Sequence, residues 1–174
     1  MIAGLVLTDT EEKESHLAFL GEDGLETVSI KDTGEIVDLI QENEPEVLAA
    51  NCGTELSGRE WTKKEEDLKE EGYSFTPASN EKKKVERMRA IKRSLKHHME
   101  RSPEIIRFDP RISTEELSLH GDEALRSFGI DPSNIQSSRQ FDAAVGAVTA
   151  RFYSEEQYED LGVIVPQPLT DEKA

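Results

Sequence analysis

Asp142 stands near the start of SSRQFDAAVGAVTARFY, where Phe141, Val145, Val148 and Phe152 recur at helical spacing. Ala143, Ala144, Gly146, Ala147 and Ala150 keep most of that helix small, so it can lie close against another element. Ser137 or Ser138 can cap it. A carboxylate at the base of such a helix, facing strand ends, can bind a divalent cation or a phosphate-linked water. The competing reading carries equal weight: an acid in a first turn simply favours the helix start. Leu161 to Val165 then reads as a short buried strand closed by Pro166 and Pro168.

Other chemistry-bearing residues are sparse. Cys52 is the single cysteine and has no disulfide partner within the chain, and no Cys/His spacing suits zinc. His97 and His98 are adjacent, so on a helix they diverge and form no i, i+4 metal pair. His120 lies beside a glycine in loop-like sequence, and no serine or cysteine triad, Walker loop or dinucleotide fingerprint is present.

The main charge anomaly lies between residues 81 and 101. Lys82, Lys83, Lys84, Arg87, Arg89, Lys92, Arg93, Lys96 and Arg101 face only Glu81, Glu86 and Glu100, in a chain whose net charge is −16. Such a helix face can neutralise phosphates. Pairing with acids such as Glu65, Glu66, Glu70 and Glu71, or contact with a second subunit, is the favoured reading, because no aromatic or glycine-rich recognition pattern accompanies the patch.

The elements that position these groups follow in order. Ile2 to Leu7 is an apolar run suited to a central strand. His16 to Leu20 and Leu25 to Ile30 flank the turn Gly21-Glu22-Asp23-Gly24, which predicts a hairpin. Asp32 and Glu35 form a capping-box pattern before a helix that ends ahead of Pro45, and Val47 to Ala50 is a fourth strand parallel to the first. A charged helix spans Arg59 to Gly72, with Trp61, Glu65 and Leu68 as its markers, and a second runs from about Glu81 to Arg101 with Val85, Met88, Ile91, Leu95 and Met99 on one stripe. Glu104 to Asp109 is a fifth strand, with Arg107 and Asp109 on one face. A polar stretch at 113–120, a helix at 122–128 and the Asp131-Pro132 turn lead to the closing helix.

The fold class expected is therefore α/β: one domain over 1–169 with a mixed five-stranded sheet, three antiparallel strands then parallel ones, flanked by helices. Residues 170–174 form a polar tail. The excess of 37 acids over 21 bases is dispersed, as in a folded protein with an acidic coat, and a halophilic source is one expectation. No stretch is long and apolar enough for a membrane span or a secretory signal, so a cytoplasmic location without membrane partners is another.

The order of GLVL (4–7), VLAANCG (47–53), LKEEGYSF (68–75), ERMRAIKRSLKHHM, IIRFDP (105–110), LRSFGI (125–130) and FDAAVGAVTARFY with GVIVPQP resembles a prokaryotic family of predicted nucleases with a ribonuclease H-like fold, as an archaeal member. The resemblance covers nearly the whole chain and is most specific in its closing block. It implies acids at neighbouring strand ends that bind Mg²⁺ or Mn²⁺ for phosphodiester cleavage. Here those positions carry Val6, Asn51 and Arg107, and Asp142 alone matches. The expectation is a domain that has lost most of its metal cluster, with no cofactor, and binds nucleic acid or protein, Arg107 forming an ion pair with Asp142. The alternatives are a metal-dependent nuclease with a rewired site drawn from Asp9, Glu55, Asp109 and Asp142, or a homo-oligomer built through the basic helix.

Overall fold

A computed structural model describes residues 1–55 and 63–168. Strands β1 (Ile2–Val6), β2 (Ser15–Gly21) and β3 (Gly24–Ile30) form an antiparallel meander, and β4 (Val47–Ala50) and β5 (Glu104–Arg107) join parallel to β1. The sheet order is β3-β2-β1-β4-β5. β1 lies at its centre because every second residue on both faces is apolar: Ala3, Leu5 and Leu7 on one side, Gly4 and Val6 on the other.

Helices α1 (Thr33–Asn43) and α3 (Lys82–His98) cover the first face. Ile36, Val37 and Ile40 of α1 and Met88, Ile91 and Leu95 of α3 pack there against Leu5, Leu17 and Leu48. The Asp32 carboxylate accepts from the Glu35 amide at 3.2 Å, as the capping-box pattern predicts.

Helix α5 (Ser138–Ser154) covers the second face. Ser137 caps it by accepting from the Gln140 amide at 3.2 Å. The small residues foreseen on this helix are required by contact. A Cβ on Gly4 would stand 2.1 Å from the Ala143 carbonyl oxygen and 2.5 Å from the Ala147 amide nitrogen, and one on Gly146 would meet the Phe108 ring at 2.6 Å. Strand and helix backbones therefore touch at Gly4 and Gly146, which fixes where the base of α5 meets the ends of the strands.

Several elements differ from the sequence expectation. Residues 113–120, read as a polar stretch, belong in part to helix α4 (Pro110–Glu116), whose first turn is set by Pro110 and by Asp109 as N-cap. The 122–128 helix is of 3-10 type and ends at Gly129 with φ 75°. The charged helix appears as α2 (Lys63–Glu70); Trp61 and the Arg59 end lie outside the described residues, as do residues 169–174. The closing strand is β7 (Ile164–Pro166), which pairs with β6 (Tyr158–Asp160) in a separate two-stranded sheet.

Candidate functional site

The C-terminal ends of β1, β4 and β5 converge beside the base of α5, and each residue expected to mark the site there is already engaged. Val6 is buried in the apolar layer shared with Ala143, Ala144 and Ala147 of α5. Asn51 continues the β1/β4 ladder: its amide donates to the Leu5 carbonyl at 3.1 Å. Its side chain then grips Leu7, just past the end of β1, accepting from the Leu7 amide at 2.8 Å and donating to the Leu7 carbonyl at 3.2 Å. The carboxamide works as a strand extension, using both of its ends.

Arg107 lies on the face opposite α5, because Ile106 and Phe108 on either side of it pack into the α5 layer. The expected ion pair with Asp142 is accordingly absent. Arg107 instead reaches the Glu65 carboxylate of α2 at 3.3 Å and donates to the Thr76 carbonyl at 3.1 Å. Glu65, with a side chain 2% exposed, also accepts from the Ala78 amide at 2.7 Å. This pair ties α2, β5 and the segment before α3 together. Glu65 therefore serves Arg107.

Asp142 falls in the second turn of α5, five residues beyond its cap, and so past the free amides of the helix start. It is half-buried. Burial raises its pKa above the ordinary carboxylate value, the nearby Arg139 opposes that shift, and Asp109 adds to it. Asp109 spends its carboxylate on the Arg111 amide at 2.9 Å and the Arg111 guanidinium at 3.3 Å, as the N-cap of α4. Asp9 is exposed on the loop after β1, and Glu55 is exposed beyond β4 among residues that line a different cavity, with Gly53, Thr54 and Arg107. Among the described residues, no group of three or more His, Cys, Asp or Glu side chains is placed to hold a metal ion.

The basic helix divides into two sets. Arg87 is buried, and its guanidinium donates to the Thr8 carbonyl at 2.9 Å, the Thr10 carbonyl at 3.2 Å, the Lys31 carbonyl at 2.8 Å and the Thr33 hydroxyl at 3.0 Å. Burial lowers its pKa, and Glu11, Asp32 and Asp9 oppose that shift. Arg87 thus leaves the phosphate-facing set and fixes the loops at the ends of β1 and β3. Its sequence position carried the signal: four residues before Ile91, it flanks the apolar stripe. Arg89 donates to the Thr54 carbonyl.

Lys82, Lys83 and Arg93 are exposed and Lys92 is partly exposed, and none of the four has an ion-pair partner among the described residues. Lys84 pairs with Glu81 at 3.4 Å, and burial raises the Glu81 pKa. Above the end of β1, Lys82, Lys83 and Lys84 border a cavity of about 560 Å³ that Leu7, Thr8, Asp9, Lys13, Glu81 and Arg139 also line, with Thr76, Ser79 and Asn80.

Comparison with known proteins locates this architecture. No family model and no curated protein matches the chain. The solved structures that do match include Thermus thermophilus RuvC in complex with a Holliday junction substrate and Thermus thermophilus RuvC alone. The first shares 13% identity at a TM-score of 0.57, and the second 14% at 0.52, each over 95% of this chain and 98% of RuvC. The fold is ribonuclease H-like. No described helix is long and apolar enough to cross a membrane.

Proposed function

We propose that this domain binds the phosphate backbone of nucleic acid and does not cleave it. The carrying observation is the use made of the three strand-end positions. Val6 is core, the Asn51 carboxamide is committed to Leu7, and Arg107 is committed to Glu65 on the opposite face. Mg²⁺ and Mn²⁺ are hard cations held through several carboxylates. A half-buried Asp142 whose raised pKa disfavours its charge, with Asp109 spent on Arg111, does not fit that requirement.

Binding is supported by the exposed cations of α3. Lys82, Lys83, Lys92 and Arg93 stand out from a chain of net charge −16 without ion-pair partners among the described residues, and such an arrangement favours polyanions. One of the RuvC structures holds a Holliday junction substrate, so a nucleic-acid partner is consistent with the fold.

The test is a paired measurement on DNA and RNA oligonucleotides with the full chain. Fluorescence anisotropy across salt concentrations should show binding that weakens as salt rises, and a cleavage assay with Mn²⁺ or Mg²⁺ should show intact substrate. Cleavage that requires Mn²⁺ and vanishes in Asp142→Ala would instead establish a rewired nuclease. Affinity indifferent to salt would remove the phosphate-binding role.

A further inference from the structure

The position at which a ribonuclease H-like sheet offers carboxylates to a metal here offers cations. Lys13, Lys82, Lys83 and Arg139 line the cavity above the end of β1 with no ion pair among the described residues, while Lys84 is already paired with Glu81. Asp9 is the remaining acid of the lining. A divalent cation entering this space would meet four unpaired positive charges, whose repulsion at short range disfavours it.

The same arrangement suits an anion. Lysine ammonium groups and a guanidinium donate charge-assisted hydrogen bonds to phosphate oxygens, the guanidinium in bidentate geometry. Lys82, Lys83 and Lys84 also occupy the first turn of α3, which contains no acid. Positive side chains there oppose the helix dipole in the free protein, and a bound anion relieves both that opposition and their mutual repulsion.

The walls are held in place. Arg87, on the same helix as the lysines, grips the carbonyls of Thr8 and Thr10 in the loop that leads to Lys13. Thr8 completes the loop by donating to the Lys13 carbonyl at 3.0 Å, and Asn51 fixes Leu7 beneath. The cations borne by loop and helix therefore share one framework, and Arg139 enters from the start of α5.

We propose that this cavity takes a phosphate group of a nucleic-acid strand in direct contact with Lys13, Lys82, Lys83 and Arg139, with no divalent cation between them. This rests on the nucleic-acid reading above and assigns it a site. Two sources share the chemistry, an internal phosphodiester and a strand-terminal phosphate, and the experiment separates them.

The probes are inorganic phosphate, a single-stranded oligonucleotide with hydroxyl ends, and the same strand with a 5′-phosphate, each titrated into the full chain in EDTA and in Mg²⁺. Backbone amide shifts are followed by NMR. Phosphate and strand should both move the amides of Leu7, Thr8 and Asn80–Lys84, with affinity equal in the two buffers. Lys83→Glu and Arg139→Glu, both at exposed positions, should each weaken strand binding about tenfold at low salt, and Lys31→Glu, exposed and outside the cavity lining, should leave these amide shifts in place. Equal affinity for both strands assigns an internal phosphate, and a preference for the phosphorylated strand assigns a terminal one.

Strand binding that survives Arg139→Glu and Lys83→Glu unchanged would overturn this site while leaving nucleic-acid binding intact. Absence of strand binding under every condition would overturn the functional reading itself. Binding that requires Mg²⁺ would overturn direct phosphate contact.

Discussion

The Asn51 carboxamide closes a two-hydrogen-bond ring on the backbone of Leu7, at 2.8 Å and 3.2 Å, where the β1/β4 pairing would otherwise stop. An aspartate cannot reproduce it, because an ionised carboxylate accepts only and leaves the Leu7 carbonyl without its donor.

Restoring an acid at this position should therefore damage the fold without creating a metal site. Asn51→Asp is expected to cost about 1–3 kcal/mol of stability, read as a shift in urea midpoint at unchanged slope. Addition of Mg²⁺ should not recover the loss. Recovery by Mg²⁺ would mean that a carboxylate here does find metal-binding company.

Glu65 and Arg107 are expected to behave as one unit. Each carries a further hydrogen bond to backbone, Glu65 from Ala78 and Arg107 to Thr76, so removing either leaves a largely buried charge uncompensated. Single replacements, Glu65→Ala or Arg107→Ala, should each cost about 3 kcal/mol, as for other largely buried pairs broken on one side. The double variant should cost clearly less than the two losses added. Additive losses in a double-mutant cycle would show that the two side chains act independently.

Asp142 makes the stability depend on pH in a definite direction. Its folded pKa is raised, chiefly by burial, so the folded chain holds a proton that the unfolded chain has released. Between the ordinary and the raised value the folded state binds more protons, and stability falls as pH rises through that window. Asp142→Asn should therefore raise the melting temperature at neutral pH, and the advantage should vanish below the ordinary carboxylate range. A variant that melts lower than the parent at neutral pH would show that the ionised carboxylate stabilises the fold.

The contact of β1 with α5 gives the sharpest packing test. Gly4→Ala would drive a methyl group into the backbone at Ala143 and Ala147, neither of which is a side chain free to turn away. The expected loss is about 3 kcal/mol or more. A near-neutral result in thermal unfolding would mean that helix and strand stand further apart.

The sequence made the sheet and the small-residue helix legible because their signals are local: apolar runs, the Gly21 to Gly24 turn, and Ala and Gly at the α5 contact. The site was only half legible. Val6, Asn51 and Arg107 could be read as departures from a carboxylate set, but their actual partners could not. Arg107 and Glu65 are 42 residues apart, and which sheet face Arg107 shares with α2 depends on where α5 docks. Strand alternation was carried on to Asp109, whereas β5 ends at Arg107 and Asp109 caps the helix that Pro110 starts. Arg87 showed its burial in its spacing relative to Ile91, yet its six oxygen partners, on Thr8, Thr10, Ser15, Lys31 and Thr33, come from segments that no local pattern connects.

The central claim is that phosphate meets these strand ends without a metal. The most direct measurement is the Kd of a labelled oligonucleotide for the full chain, by anisotropy at fixed ionic strength, in EDTA and then in Mn²⁺, with the recovered strand sized afterwards. Equal Kd values, weaker binding by Arg139→Glu and an intact strand are predicted. A strand bound only in Mn²⁺, or cut in Mn²⁺ and spared by Asp142→Ala, would contradict the account.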